Sequence, residues 1–472
     1  MPAAAALLLL AAPLCPPQDE APEPPAGRPL IFRVDRIETL AGEPIENGFL
    51  QVRDGVIEKI GDVLVVPEGA VVHDLRGDGS TILPPLVLAR AGFLIHSTRG
   101  GGRNGRFRAI DSLWLEEGEL HDLLAEGILI VAIDPPGDGI PGRTSVLATD
   151  VEGHRPEALV EDLHLRLRME GGLRGAKDLM RKAIADAEKA IEKEKEARAA
   201  WEKARAEWEA RQKAEAEQKK QQEQKQGQEQ GSGGRSEPSA RGRGSAQEPP
   251  PGQDGGRNGG KEEEQEPPKE FQPPKIDPNL VPVVEWLRRE RVAWVSFDKP
   301  AAVLHWLDLL GDRDPAWSAI LGGGSRFSRF AGNFMEVRDA LAAAGVRVLL
   351  PAVLPNLPYT RIPTHPAAEL DQAGVEIVLL PPRGDLEGVR SFRLALADLV
   401  REGLDRRIAL EAVTLRPAAA LGQEEIVRPL EVGAPANFIV FDGDVLDPTA
   451  EVQYVLHDGR VVFDRSLEEE EE

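Results

Sequence analysis

The chain has 472 residues, of which 41% are hydrophobic, so it is long enough for a globular core and more than one structural unit. Its formal net charge of −23 at pH 7 argues against nucleic-acid binding, because phosphate backbones are held by clustered Lys and Arg. The single cysteine, Cys15, excludes an intrachain disulfide and a cysteine-based metal site.

The N-terminal segment is typical of an export signal. Residues 2–14 read PAAAALLLLAAPL, an apolar run that is too short to span a membrane and fits the apolar region of a signal peptide. We therefore predict a signal peptide over residues 1–18, a disordered tether over 19–28, and a periplasmic or envelope-associated protein. A lipid anchor on Cys15 is the alternative. We expect no other membrane-spanning segment.

Periodicity then divides the chain into β-type and α/β segments. Residues 29–85 contain short runs of alternating apolar residues with Asp54-Gly55 between two of them, which predicts hairpins of an antiparallel sheet. Residues 86–169 and 276–404 alternate helices with apolar strands, which indicates parallel strands buried on both faces. Residues 405–466 contain a last barrel helix and then return to strands. This order predicts a TIM-like (β/α)8 barrel flanked by a composite β-sandwich built from both terminal segments.

A long insertion interrupts the α/β region. Apolar residues recur at steps of three and four from Leu173 to Trp208, which predicts a charged helix over residues 170–216 with a narrow Ala-rich seam. This seam could dock on the protein itself or form a coiled coil with another helix. Residues 217–275 are almost free of apolar side chains, so we predict a disordered linker. An acidic tail, residues 467–472, ends the chain.

Several motifs follow one another in a fixed order. They are VRDGVIEKIGD with VVHDLRGDGSTILPPLV, then IALEAVTLRPAAALG with PLEVGAPANFIVFDGD, and finally VLHDGRVV. Together they resemble the amidohydrolase superfamily, in particular its imidazolonepropionase-like and related exported members. The resemblance covers the chain apart from its two ends and the insertion. It implies hydrolysis of non-peptide C–N bonds by a metal-activated water.

The metal ligands that the resemblance implies are missing from this sequence. Members carry a His-x-His pair at the end of the first barrel strand, which helps to hold zinc or another divalent metal. Alignment places Arg90 and Gly92 at these two positions, and neither residue can bind a metal. Later ligand positions fall at Asp298 and Gly322, and the proton-shuttling Asp falls near Pro381. We therefore predict that the protein has no metal and no other cofactor.

Two further groups of residues are candidates for a site at the barrel mouth. The catalytic candidates are Asp298, His365 and His96. The loop STRGGGRNGRFR, residues 97–108, combines glycine amides with guanidinium groups that could hold an anion; the alternative is a solvated loop. Its arginines are Arg99, Arg103, Arg106 and Arg108.

Three functional interpretations follow. We favour a catalytically inactive amidohydrolase relative that binds a ligand or a partner, either an active paralogue or a second copy of itself. The alternative is an active hydrolase with a relocated or metal-free site that uses the three catalytic candidates. A purely structural envelope protein would have neither a metal nor a small-molecule pocket.

Overall fold

The computed structural model describes residues 27–95, 102–151, 153–170, 173–229, 269–322, 331–357 and 359–471. The predicted signal peptide, most of the tether, His96, Arg99 and most of the predicted linker lie outside the described residues. Across the ranges that are described, no helix is long and apolar enough to cross a membrane. The chain divides into a larger unit, residues 1–185 and 278–472, and a smaller unit, residues 186–277.

The strands that the structure describes belong to the larger unit. In chain order they are β1 (Leu30–Arg33), β2 (Arg36–Ile37), β3 (Ile45–Glu46), β4 (Phe49–Arg53), β5 (Val56–Gly61), β6 (Val71–Asp74), β7 (Thr81–Leu83), β8 (Leu86–Ala91), β9 (Gly102–Arg103), β10 (Ile128–Ile133), β11 (Gly139–Ile140), β12 (Gly142–Arg143), β13 (Ser145–Ala148), β14 (Leu165–Met169), β15 (Ala293–Phe297), β16 (Trp317–Leu321), β17 (Val348–Pro351), β18 (Ile377–Leu380), β19 (Phe438–Phe441), β20 (Val452–His457) and β21 (Arg460–Asp464).

The helices alternate with the strands in the middle of the chain and are mostly short. They are α1 (Glu119–Leu124), α2 (Leu173–Glu229), α3 (Val281–Leu287), α4 (Pro300–Leu310), α5 (Arg338–Ala344), α6 (Pro366–Gln372), α7 (Leu386–Arg390), α8 (Phe392–Arg401), α9 (Arg406–Glu411), α10 (Leu415–Ala420) and α11 (Arg465–Glu471). Two 3-10 helices lie at Ala109–Ser112 and Ala331–Val337.

Parallel strands form a TIM-barrel-like α/β core. β8 pairs with β10, and β14 to β18 form a continuous parallel run. The amide of Leu379 on β18 donates to the carbonyl of Ala412, and the amide of Val87 on β8 donates to the carbonyl of Val413. This two-residue segment therefore joins the last parallel strand to the first. Every residue of β10 and β15 is buried, as expected where helices cover the outer face of a parallel sheet.

One part of the barrel departs from the predicted (β/α)8 pattern. The described residues between β10 and β14 include no α-helix; β13 pairs antiparallel with β10, and β12 pairs antiparallel with β14. The intervening segment, residues 135–142, is rich in Pro and Gly, which strongly disfavour helix formation. Short strands that pair within the sheet, β12 and β13, therefore lie in the connection between β10 and β14.

The two ends of the chain contribute strands to a shared sheet. Its order is β21-β20-β19-β7-β2-β3, and a second sheet has the order β5-β4-β1-β6. One hydrophobic cluster includes Phe32 and Leu50 from the second sheet with Ile82 and Phe438 from the first. The predicted turn at Asp54-Gly55 is confirmed, since both residues have positive φ and connect β4 to β5.

The helix of the insertion is longer than predicted. α2 runs to Glu229 instead of ending near residue 216, because the Gln, Lys and Glu residues that follow are good helix formers. Within the smaller unit, the indole Nε1 of Trp201 donates to the carbonyl of Lys269 at 2.7 Å, and the guanidinium of Arg198 lies 4.8 Å from the ring centre of Phe271. The end of the predicted linker therefore packs against this helix.

An ion pair connects the terminal sheet to the barrel segment. Nδ1 of His457 on β20 lies 2.6 Å from Oδ2 of Asp150, which follows β13. The hydrogen bond to Asp150 raises the pKa of His457, and partial burial opposes this effect. Because the pKa of His457 is higher in the folded protein than in the unfolded chain, its protonated form stabilises the fold. This contribution is complete below the ordinary histidine pKa and is lost as the pH rises through the pKa of the folded state.

We predict that Asp150→Asn destabilises the protein more at pH about 6 than at pH about 9, because histidine loses its charge between these values. Urea unfolding of both proteins at each pH measures the difference in free energy of unfolding. Asp111→Asn is the matched control, since Asp111 pairs with Arg108, which stays charged throughout. An equal loss for Asp150→Asn at both pH values would contradict the prediction.

Candidate functional site

The positions at which the resemblance implies metal ligands lie at the carboxyl ends of barrel strands. Arg90 is near the end of β8, and Gly92 follows this strand. Asp298 and Gly322 directly follow β15 and β16, and Pro381 directly follows β18. Parallel strands bring these ends to one face of a barrel, which is where TIM-barrel active sites lie.

A carboxylate surrounded by arginines lies at this end of the barrel. Asp134, which follows β10, is 2% exposed and pairs with Arg90, Arg166 and Arg168. The Arg90 Nε atom donates to Oδ2 of Asp134 at 2.9 Å. Arg166 bonds to both carboxylate oxygens, and Nη2 of Arg168 lies 3.3 Å from Oδ2. We call these four residues the Asp134 cluster.

Arg166 anchors the Asp134 cluster inside the barrel. Its side chain is fully buried, and Nη1 donates to the carbonyl of Trp294 at 2.8 Å. Nη2 also donates to Oγ of Ser296 at 2.8 Å, so the guanidinium contacts two residues of β15. Arg166 and Arg168 are two residues apart on β14, and the alternation of a strand directs both side chains to one face.

The charges of the Asp134 cluster hold one another ionised. Burial alone would raise the pKa of Asp134, but Arg166, Arg90 and Arg168 outweigh burial and lower the pKa below its ordinary value. Burial lowers the pKa of Arg166 to about 10, while Asp134 acts in the opposite direction. At neutral pH, therefore, the carboxylate and the fully buried guanidinium are both charged.

Glu170 adds a second carboxyl group to this region. It follows β14, and burial raises its pKa, although Arg168, Arg90 and Arg166 act in the opposite direction. Its Oε1 atom is buried without a hydrogen-bond partner, and so is Nε of Arg168. Glu170 and one arginine of the Asp134 cluster, Arg168, thus keep unused hydrogen-bonding capacity.

His365 forms hydrogen bonds with backbone groups on two helices. The residue caps the N-terminus of α6, where its Nδ1 accepts a hydrogen bond from the amide of Ala368 at 3.1 Å. Its Nε2 lies 2.8 Å from the carbonyl of Leu399. Both ring nitrogens are therefore occupied by backbone groups, which leaves none to bind a metal or to exchange a proton with a substrate.

Asp298 lies at the predicted barrel end, directly after β15. Its carboxylate lies 3.8 Å from Nζ of Lys299. The neighbouring ligand position, Gly322, borders an apolar recess lined by Leu321, Phe334, Leu350 and Pro351. Among the residues that the structure describes, the predicted candidates Asp298 and His365 belong to no group of three or more His, Cys, Asp or Glu side chains that could hold a metal.

The structure describes three arginines of the predicted anion loop, Arg103, Arg106 and Arg108. Arg108 forms ion pairs with Asp111 at 2.7 Å and with Glu161. Arg103 lies on β9, which pairs with β11, and Arg106 is exposed and accepts a hydrogen bond at its carbonyl from Arg143. Pairing with acids explains why Arg108 does not contribute a free positive charge to an anion site.

The residues at the barrel mouth do not fit a divalent metal. Within the described ranges, no group of three or more His, Cys, Asp or Glu side chains is arranged to hold one. The carboxylate of Asp134 could serve as a ligand, but three guanidinium groups already bind it. A unit positive charge about 5 Å from a divalent ion costs on the order of 7 kcal/mol at an effective dielectric constant of about 20.

We predict that Asp134→Asn lowers the free energy of unfolding by about 3–5 kcal/mol, because it leaves buried guanidinium groups without their counter-charge. Urea unfolding at neutral pH measures the loss. Asp74→Asn is the control: Asp74 pairs with Arg33 and Arg76 on the surface, so the expected loss is below about 1 kcal/mol. Similar losses for the two variants would show that the Asp134 cluster does not stabilise the barrel.

Comparison with known proteins shows which sequences and folds this chain resembles. Residues 398–463 match the model of an amidohydrolase family. The sequence had no match in a comparison with curated proteins. An amidohydrolase from Thermotoga maritima MSB8 superposes with a TM-score of 0.63 at 17% identity, over 92% of this chain and 100% of that chain.

Two other solved structures align less well. A prolidase complexed with N-methylphosphonate-L-proline has 13% identity and a TM-score of 0.46, over 93% of this chain and 100% of that chain. The N-isopropylammelide isopropylaminohydrolase from Burkholderia multivorans ATCC 17616 has 12% identity and a TM-score of 0.42, over 92% and 98%. The family match and the Thermotoga structure confirm the predicted resemblance: residues 398–463 resemble an amidohydrolase family, and the fold resembles that of a solved amidohydrolase.

Proposed function

We propose that this chain is an amidohydrolase relative that has lost the metal-dependent hydrolysis of C–N bonds and binds a ligand or a partner instead. The main support for this proposal is the ion pair between Arg90 and Asp134, 2.9 Å long, at the end of the first barrel strand. A fixed guanidinium cation stands at one of the positions where the resemblance places a metal-binding histidine.

Hydrolysis by this family's route needs a metal-bound water whose pKa has been lowered. A guanidinium group spreads a single positive charge over three nitrogens and has no lone pair or open coordination position to offer. It can donate hydrogen bonds to an anion, but it cannot generate hydroxide at neutral pH as a divalent metal does. The Asp134 cluster therefore favours recognition over hydrolysis.

The alternative hydrolase with a metal-free site has less support among the described residues. Of its candidates, His365 uses both ring nitrogens in backbone hydrogen bonds, and Asp298 is adjacent to Lys299. A general base needs free access to the proton that it removes. We therefore keep non-catalytic binding as the proposed function.

Finer features belong to the same proposal. We propose that the two terminal sheets form a composite β-sandwich, which is supported by their shared hydrophobic cluster. We also propose export to the periplasm or envelope, and association with an active paralogue or with a second copy. The short apolar run at residues 2–14 supports export, and the Ala-rich seam of α2 supports association through helices.

Metal analysis tests the proposed function. The full-length protein is incubated with zinc and manganese, desalted, and analysed for metal content, and its activity is assayed on cyclic amides and dipeptides. We expect well below one equivalent of either metal and no turnover above the buffer rate. The Cys15→Ser variant is the matched control, because a lone thiolate can carry adventitious zinc without forming a metal site. One or two equivalents retained in both proteins would refute the proposal.

A further inference from the structure

The Asp134 cluster carries more positive than negative charge. Three guanidinium groups face the single carboxylate of Asp134, and Glu170 also interacts with them. Asp298 acts on Glu170, but its own carboxylate lies beside the ammonium group of Lys299. Even with Glu170 ionised, the three arginines exceed the two carboxylates. A buried excess charge of this kind is unfavourable unless another charge compensates it.

The outer part of the Asp134 cluster can be reached from outside the barrel. The side chains of Arg90 and Arg168 are 19% and 13% exposed, whereas Arg166 is fully buried. Arg168 donates through Nη2 to Asp134 and to the carbonyl of Pro135, which fixes the plane of its guanidinium group. Its Nε atom is buried and has no hydrogen-bond partner. A buried donor without an acceptor is unfavourable, and an anion bound at this guanidinium group would offset part of that cost.

We propose that the barrel mouth binds a small oxyanion, a carboxylate or a phosphate group, between Arg90 and Arg168. This inference rests on the proposed function, since it assigns an anion to the place where active relatives would hold a metal. Guanidinium groups recognise both oxyanions through paired N–H donors. Asp134 orients Arg90 and Arg168 through its ion pairs with both side chains. Arg166 is a positioning residue that holds Asp134 and does not contact the ligand.

This proposed site is distinct from the predicted anion loop, residues 97–108. Arg108 of that loop is neutralised by Asp111 and Glu161, whereas Arg90 and Arg168 share one carboxylate with a third arginine. The excess of positive charge therefore lies on the strands. In a protein with a net charge of −23, such a local positive site gives an anion one preferred place to bind.

Equilibrium dialysis of the full-length protein with radiolabelled inorganic phosphate and, separately, radiolabelled acetate tests the proposal at constant ionic strength in sodium chloride. We expect saturable binding of one equivalent of at least one probe, and the tighter probe identifies the oxyanion class. A matching saturable rise of the thermal unfolding midpoint is expected with the same probe, because a ligand that binds only the folded state stabilises it. No saturable binding of either probe would overturn the proposal.

Arg168→Gln should weaken binding at least about tenfold, the change expected when a charge-assisted hydrogen bond is lost. Arg168→Lys keeps the charge but loses the planar fork, so an intermediate loss is expected. Arg108→Gln is the matched control and should change binding less than about twofold. Equal losses in Arg168→Gln and Arg108→Gln would show general charge screening and would overturn the assignment. If Arg168→Gln does not fold, the lysine variant and the dialysis of the unmodified protein decide the question.

The outcome is separable from that of the metal analysis. A protein that retains neither metal nor anion refutes the oxyanion site and leaves the proposed loss of metal chemistry standing. A protein that retains a metal refutes the proposed function, and saturable oxyanion binding that depends on the metal then contradicts the Arg90–Arg168 site.

Discussion

A buried carboxylate held among three guanidinium groups is the interaction on which the barrel depends most. Asp134 follows β10, Arg90 lies on β8, and Arg166 and Arg168 lie on β14. Through Arg166 the Asp134 cluster also reaches β15. These are the strands on either side of the antiparallel return β12–β13, where the regular parallel hydrogen bonding is interrupted. Side-chain ion pairs thus connect the two parallel parts of the barrel.

The same ions constrain the chemistry of the site. Each charge is taken out of water, so each depends on the others, and removal of one member leaves the rest uncompensated. A network of this kind is rigid and presents its donors in fixed positions. It differs from a metal centre, which exchanges water and changes its coordination during a reaction. The proposed change from hydrolysis to recognition follows from this difference in chemistry.

Much of the fold could be predicted from the sequence because its signals are local. The turn at Asp54-Gly55 and the alternation of helices with apolar strands in residues 276–404 each rest on patterns of about ten residues. The antiparallel return was missed because its Pro- and Gly-rich segment, residues 135–142, indicates only that no helix forms there. Whether such a segment becomes a loop or joins a sheet depends on distant strands.

The candidate site was less accessible to prediction because its members are far apart in the sequence. Arg90 was noted only as a lost ligand position, and Asp134, Arg166, Arg168 and Glu170 were missed. One signal was available: Arg166 and Arg168 alternate with apolar residues in β14, which places two charges on one face of a buried strand. Such charges require partners, but the sequence does not name Asp134 as that partner. The contacts of His365 also depend on distant residues, since its Nε2 atom lies beside the carbonyl of Leu399 on another helix.

The position of the insertion has a consequence for how the chain reaches its fold. β14 and β15 are neighbours in the sheet, yet roughly 120 residues separate them along the chain. The entropy of closing a loop grows only with the logarithm of its length, so doubling such a segment adds about 0.6 kcal/mol to the cost of forming the pair. Contacts between distant residues slow folding more than they reduce stability. The connection between β14 and β15 can therefore be lengthened at a small cost in stability. The kinetic cost is that these two central strands pair more slowly during folding.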